Sequence, residues 1–189
     1  MILFVARHGE TNMNVEHRAA GVTEAMLTET GKAQARAMAE KLKAEQAQNQ
    51  IKHILVSPLQ RARDTAGFTE EALGIKAVVE PRLHEINFGD YEGADWTQPQ
   101  FALGRREPFL RCPNGESYMD AMCRAYSVIA EIQKKYAGEN VLFVCHGGIG
   151  VGIDLCFNSC TLEEFENIWI ANCEVRRYEL PEQKLPNFL

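Results

Sequence analysis

Residues 2–6 form an unbroken apolar run that passes directly into Arg7, His8 and Gly9. Apolar runs that do not alternate with polar residues belong to strands covered on both faces. The chain is therefore expected to build a sheet with helices above and below it, and to place a cation and an imidazole at the sheet's edge. Two further runs repeat the pattern. Residues 53–56 lead into Ser57 and Pro58 with Arg61 close behind, and residues 141–145 lead into His146, Gly147 and Gly148. A shorter run at 77–79 predicts a fourth strand. Residues 172–180 mix polar and apolar side chains, as an edge or antiparallel strand does.

Helical patterns fill the intervals. Thr28 precedes a stretch in which Ala35, Met38 and Leu42 share one face. Ser57 and Gln60 read as a capping box with Pro58 at the first helical position, and Thr161 with Glu164 reads as another. Tyr118, Met122, Ala125, Ile129, Ile132 and Tyr136 recur at helical spacing and predict a long amphipathic helix. Alternating strands and helices imply an α/β fold, a three-layer α/β/α sandwich around a mostly parallel central sheet. One domain over residues 1–189 is expected. Residues 80–115, rich in proline and glycine, stand apart as an irregular lid or specificity segment within it.

Composition excludes several classes of function. With 46% hydrophobic and 24% charged residues the chain is globular, and a net charge of −6 argues against a nucleic-acid partner. The first apolar run is too short and lacks the basic flank of a signal peptide, and no stretch approaches a membrane span. The six cysteines form no CxxC pair, and no histidine or third cysteine completes a cluster with Cys156 and Cys160. A cytoplasmic, reduced protein is the expectation. No apolar surface stripe marks an interface, so a homodimer stays open.

In parallel sheets, ligands bind beyond the carboxyl ends of the strands, where helix N-termini present free N–H groups. If the three strand ends meet, one pocket gathers Arg7, Arg61, His8 and His146, with Glu10 the lone acid in those segments. Such a set suits a dianion, and arginine grips phosphoryl oxygens in bidentate fashion. Taken singly, each residue also has a plain reading: a hydrogen-bonded strand-end histidine or a solvated helix arginine.

The segments "RHGETNMN", "LTETGKAQA", "SPLQRARDTA", "LHEINFGDYEG", "PNGES" and "VCHGG" occur in the order found in the histidine phosphatase superfamily, of the phosphoglycerate-mutase-like fold. The chain resembles that family over nearly its whole length. The resemblance implies that His8 takes the phosphoryl group, that Arg7, Arg61 and His146 surround its oxygens, that Asn14 adds a hydrogen bond, and that arginine and histidine meet the phosphoryl charge with no metal and no cofactor. Gly147 and the Gly9 amide would also reach the phosphate. Glu85 would protonate the leaving oxygen and later activate water; its plain alternative is a salt bridge to a pocket arginine. His17, His53 and His84 read as surface or supporting groups.

Mutases of the family usually follow the second histidine with Gly-Asn, whereas "HGGIGVGID" departs from that pattern and is similar to the phosphatase branch. Hydrolysis of a small phosphate ester is the leading expectation, with phosphoglycerate-mutase-type transfer as the alternative. A metallohydrolase ligated by His8, His146 and Glu85, or an idle phosphate-binding module, would be different classes. Arg105, Arg106 and Arg111 form a basic cluster that either meets a second anion on the substrate or is a solvated face. Trp96, Phe101 and Phe109 either wall the pocket or pin the loop.

Overall fold

A computed structural model describes residues 1–180. The last nine positions of the expected domain, 181–189, lie outside the described residues. Five strands form one sheet in the order β3-β2-β4-β1-β5: β1 (Ile2–Arg7), β2 (Ile51–Val56), β3 (Ala77–Val79), β4 (Asn140–Cys145) and β5 (Val175–Glu179). The first four are parallel, and β5 runs antiparallel to β1 at the edge. Helices α1 (Asn12–Val15), α2 (Glu29–Ala44), α3 (Gln46–Asn49), α4 (Gln60–Leu73), α5 (Pro99–Arg106), α6 (Tyr118–Lys135), α7 (Gly147–Leu155) and α8 (Leu162–Asn167) complete the described chain.

The unbroken apolar strands are covered on both sides. Leu3, Val5, Phe143 and Cys145 pack against Ala125 and Ile129 of α6 and Ile149 and Ile153 of α7. The alternate positions Phe4, Ala6, Leu142 and Val144 pack against Met38 and Leu42 of α2 and Ala62 and Ala66 of α4. Truncating a core residue such as Phe143 to alanine would cost about 3–5 kcal/mol by this reckoning.

Register sets the site. Arg7 pairs with Cys145 and Val56 with Val144, so the three strands finish level. The next residues stay in line: His8 N–H donates to the Cys145 carbonyl at 3.0 Å and Ser57 N–H to the Val144 carbonyl at 3.0 Å. After β1 the chain feeds α2 on one face, and after β4 it feeds α7 on the other. The crevice between those two helix starts is the switch point where parallel sheets bind ligands.

Two local expectations change. Ser57 does not cap a helix: α4 starts at Gln60 with Leu59 as its N-cap and no side-chain cap bond. Residues 80–115 are less irregular than their composition suggests, since they hold the 3-10 turns Pro81–Leu83 and Gly89–Tyr91 and the helix α5, with Pro99 in its first turn. The capping boxes of α6 (Ser117 with Asp120) and α8 (Thr161 with Glu164) are both formed. No helix among the described residues is long and apolar enough to cross a membrane.

Candidate active site

His8, 4% exposed, sits just past β1 between two partners of fixed character. Its Nδ1 lies 2.7 Å from the Gly9 carbonyl, which can only accept, and its Nε2 lies 3.3 Å from Arg61 Nε, which can only donate. The proton is thereby held on Nδ1 and the lone pair on Nε2. Burial, then the charges of Arg61 and Arg7, push the His8 pKa well below 6.5, so the ring is neutral at neutral pH.

The His146 ring, fully buried, stands 5.1 Å centroid to centroid from that of His8. Its Nε2 is 2.6 Å from Ser57 Oγ, which also accepts from the Leu59 N–H at 3.3 Å. If Ser57 donates its hydroxyl proton to Nε2, a single group, the Nδ1–H of His146, is left without a partner. The opposite tautomer strands both that nitrogen and the hydroxyl proton. Burial, with Arg61, His8 and Arg7 adding, also lowers the His146 pKa well below 6.5. The charge expected from two imidazoles is therefore absent in the ligand-free site, and its cations are the two guanidiniums. Three buried side-chain nitrogen or oxygen atoms lack partners among the described residues: Arg7 Nε, His146 Nδ1 and, away on α4, Thr69 Oγ1. Two of the three belong to this cluster.

Arg7 donates from Nη1 to the Ile170 carbonyl at 2.7 Å, and its guanidinium lies 4.9 Å from the Trp169 ring centroid. Arg61, fully buried, is held by the loop before α2: Nη1 donates to Thr23 O, and Nη2 to Ala20 O and Gly21 O, all at 2.7–2.9 Å. That loop is held in turn by Glu92, whose carboxylate accepts from the Gly21, Val22 and Thr23 amides and from Phe88 N–H. Burial lowers the pKa of both arginines, with Glu85 acting against it.

Among the described residues Glu85 makes no salt bridge and is held by backbone amides instead. Its Oε2 accepts from Gly148 N–H at 2.8 Å, and its Oε1 from Ile149 N–H at 2.8 Å and Ile86 N–H at 2.9 Å. It thus closes the first turn of α7 and satisfies two of its orphan amides. A Cβ on Gly148 would meet Glu85 Oε1 at 2.6 Å, so only glycine admits the carboxylate there. The Gly147 amide, one position earlier, has no partner among the described residues.

Arg7, His8, Asn14, Glu85 and Gly147 line one cavity of about 450 Å³. Arg61 and His146 are buried beside His8. Gly9 differs from expectation: its amide donates to Thr65 Oγ1 at 3.0 Å and is not offered to a ligand. Asn14 Oδ1 accepts from Thr11 N–H and Asn172 Nδ2, and nothing among the described residues accepts from Asn14 Nδ2. Asn172 also donates to the His8 carbonyl at 2.9 Å. Ser57, Thr65, Glu92 and Asn172 are the supporting residues that sequence reasoning missed or misread; only Ser57 was flagged, by its place at a strand end.

The outer cavity is walled by Phe88, Trp96, Phe101, Tyr118, Val151 and Trp169. Phe109 is 74% exposed and takes no part. The basic cluster is dispersed. Arg105 donates to the Ile168 carbonyl at 2.7 Å and covers Tyr118, Arg106 pairs with Glu166, and Arg111 pairs with Asp120. Among the described residues no group of three His, Cys, Asp or Glu side chains is placed to hold a metal ion.

Residues 3–186 match the family model of the histidine phosphatase superfamily (branch 1). A Photorhabdus laumondii protein described as probable phosphoglycerate mutase GpmB is 32% identical over 152 residues, which cover 77% of this chain and 69% of that one. Among solved structures, Bacillus stearothermophilus YhfR superposes with a TM-score of 0.84 at 28% identity, covering 97% of this chain and 93% of that one. A mycobacterial glucosyl-3-phosphoglycerate phosphatase superposes with a TM-score of 0.80 at 28% identity, covering 93% and 88%.

Proposed function

Since the chain belongs to the histidine phosphatase superfamily, we propose that it hydrolyses a small phosphate monoester through a phosphohistidine on Nε2 of His8. The state of His8 carries this proposal: a neutral ring with its lone pair on Nε2, at the edge of a cavity beside two guanidiniums.

Nε2 attacks phosphorus as the ester oxygen departs, and Glu85 gives that oxygen its proton. The Arg7 Nε–H and the His146 Nδ1–H, without partners among the described residues, and the Gly147 amide supply hydrogen bonds to the phosphoryl oxygens. Arg61 shifts its Nε–H from the imidazole to an oxygen of the transferred group. In the second half, water loses a proton to the Glu85 carboxylate and attacks phosphorus. The P–N bond breaks, phosphate leaves, and His8 and Glu85 return to their starting states.

The descriptions of the relatives favour a second reading, transfer of the mutase kind, in which the phosphoryl group on His8 passes to another hydroxyl instead of to water. Incubation with 4-nitrophenyl phosphate, and separately with 3-phosphoglycerate, distinguishes the two. Hydrolysis predicts stoichiometric phosphate release that persists in EDTA and vanishes in His8→Ala. Isomerisation of phosphoglycerate without phosphate release supports the mutase reading. Turnover that survives His8→Ala overturns both.

A further inference from the structure

The outer cavity points to the nature of the group carried by the phosphate. We infer that this site selects esters with an apolar, ring-sized alcohol portion and no second anionic group; the inference rests on the phosphatase reading of the same cavity.

The cations that could meet a second anion are already committed. Arg105 satisfies the carbonyls of Phe165 and Ile168 and lies 5.4 Å from the Tyr118 ring centroid. Arg106 and Arg111 hold Glu166 and Asp120, and Arg124 holds Glu116 along with the carbonyls of Arg82 and His84. Arg18 alone, among the described cations lining the outer cavity, has no partner. It is exposed, where one charge pair contributes little. Glu166 also lines the outer cavity, paired with Arg106, so that ion pair offers an entering carboxylate or second phosphate no uncompensated cation.

The remaining surface is aromatic. Phe88 meets Phe101 edge to face at 5.5 Å, and Trp96 is braced edge to face by His17 at 5.4 Å. Trp169, with the Arg7 guanidinium 4.9 Å from its ring centroid, adds a further aromatic face to the same cavity. At about 450 Å³ the cavity exceeds what a phosphoryl group with a three-carbon chain needs, and falls within the range for small-molecule sites of roughly 300–1,000 Å³. Rings braced by other rings offer a ready-made face that an apolar ligand covers without ordering it.

Two non-hydrolysable phosphonates that differ only at the far end test this by calorimetry on the intact protein: 2-phenylethylphosphonate and 2-carboxyethylphosphonate. The phenyl ligand is expected to bind at least about tenfold more tightly, and Phe101→Ala is expected to shrink that ratio several-fold. Equal binding, or tighter binding of the carboxylate ligand, overturns the inference, as does a ratio unmoved in both Phe101→Ala and Trp96→Ala. Because no bond is cleaved, the outcome is independent of turnover. A phenyl preference without release of phosphate from 2-phenylethyl phosphate would count against hydrolysis and leave the pocket's selectivity standing.

Discussion

At the inner end of the cavity nearly every polar group is fixed by backbone: His8 by the Gly9 carbonyl, Arg61 by three loop carbonyls, and Glu85 by three amides around the start of α7. The outer end, from Phe88 to Arg105 and from Glu166 to Trp169, is built of rings and ion pairs carried on short helices and turns. Arg7, His8 and His146 are positioned by strand register, whereas Arg61 and Glu85 are fixed by backbone groups of the loop before α2 and of the start of α7. The outer ones depend on loop segments that can vary freely. Chemistry and selectivity are thus set by different parts of the fold.

Substitutions at the inner end should break function hardest. Glu85→Gln keeps an acceptor for α7 but has no proton to give. It should lower kcat by about 10²–10⁴-fold for alkyl esters and distinctly less for 4-nitrophenyl phosphate, whose leaving group needs no acid. Steady-state phosphate release with both substrates checks this; an equal loss on the two would contradict the acid role.

Stability should show the same asymmetry through pH. His8 and His146 are held neutral in the folded chain with pKa values well below 6.5, whereas each takes a proton near 6.5 when unfolded. Below that value the unfolded chain binds more protons, so stability falls as pH drops, by up to about 1.4 kcal/mol per pH unit for each ring. Urea unfolding between about pH 7.5 and about pH 5.5 measures the slope, and His146→Asn should flatten it. A variant slope as steep as wild type would mean that His146 is charged in the folded protein.

Ser57→Ala strands the buried Nε2 of His146 and should cost about 1–3 kcal/mol in urea unfolding. It should also lower kcat about tenfold, with little change in KM, because the tautomer that offers Nδ1–H loses its anchor. The smallest effect belongs to the outer surface. Phe109→Ala removes an exposed ring and should shift stability by less than about 0.5 kcal/mol. A larger loss would mean that Phe109 covers something in solution.

The layers were legible because unbroken apolar runs allow only a doubly covered sheet, and α2 and α6 because their apolar residues recur at helical spacing. What the sequence hid was decided by distant partners. Ser-Pro-x-Gln fits a capping box locally, yet the Ser57 hydroxyl serves His146, 89 residues away. The glycines of α7 gave no amphipathic signal. A Cβ on Gly152 would lie 3.2 Å from the Met122 backbone, so the absence of a side chain there serves close packing against α6. The dispersal of Arg105, Arg106 and Arg111 depends on where α8 and α6 lie, which no local pattern records. Of the site residues, the clustering of Arg7, His8, Arg61 and His146 followed from strand ends, while the Glu85 cap on α7 needed the tertiary structure.

Trapping the covalent intermediate tests the central claim most directly. Rapid acid-free quenching during turnover, followed by mass spectrometry and ³¹P NMR, should find a single acid-labile phosphoryl group on Nε2 of His8. A phosphoryl group on Nδ1, on His146 or on any other side chain would contradict the account.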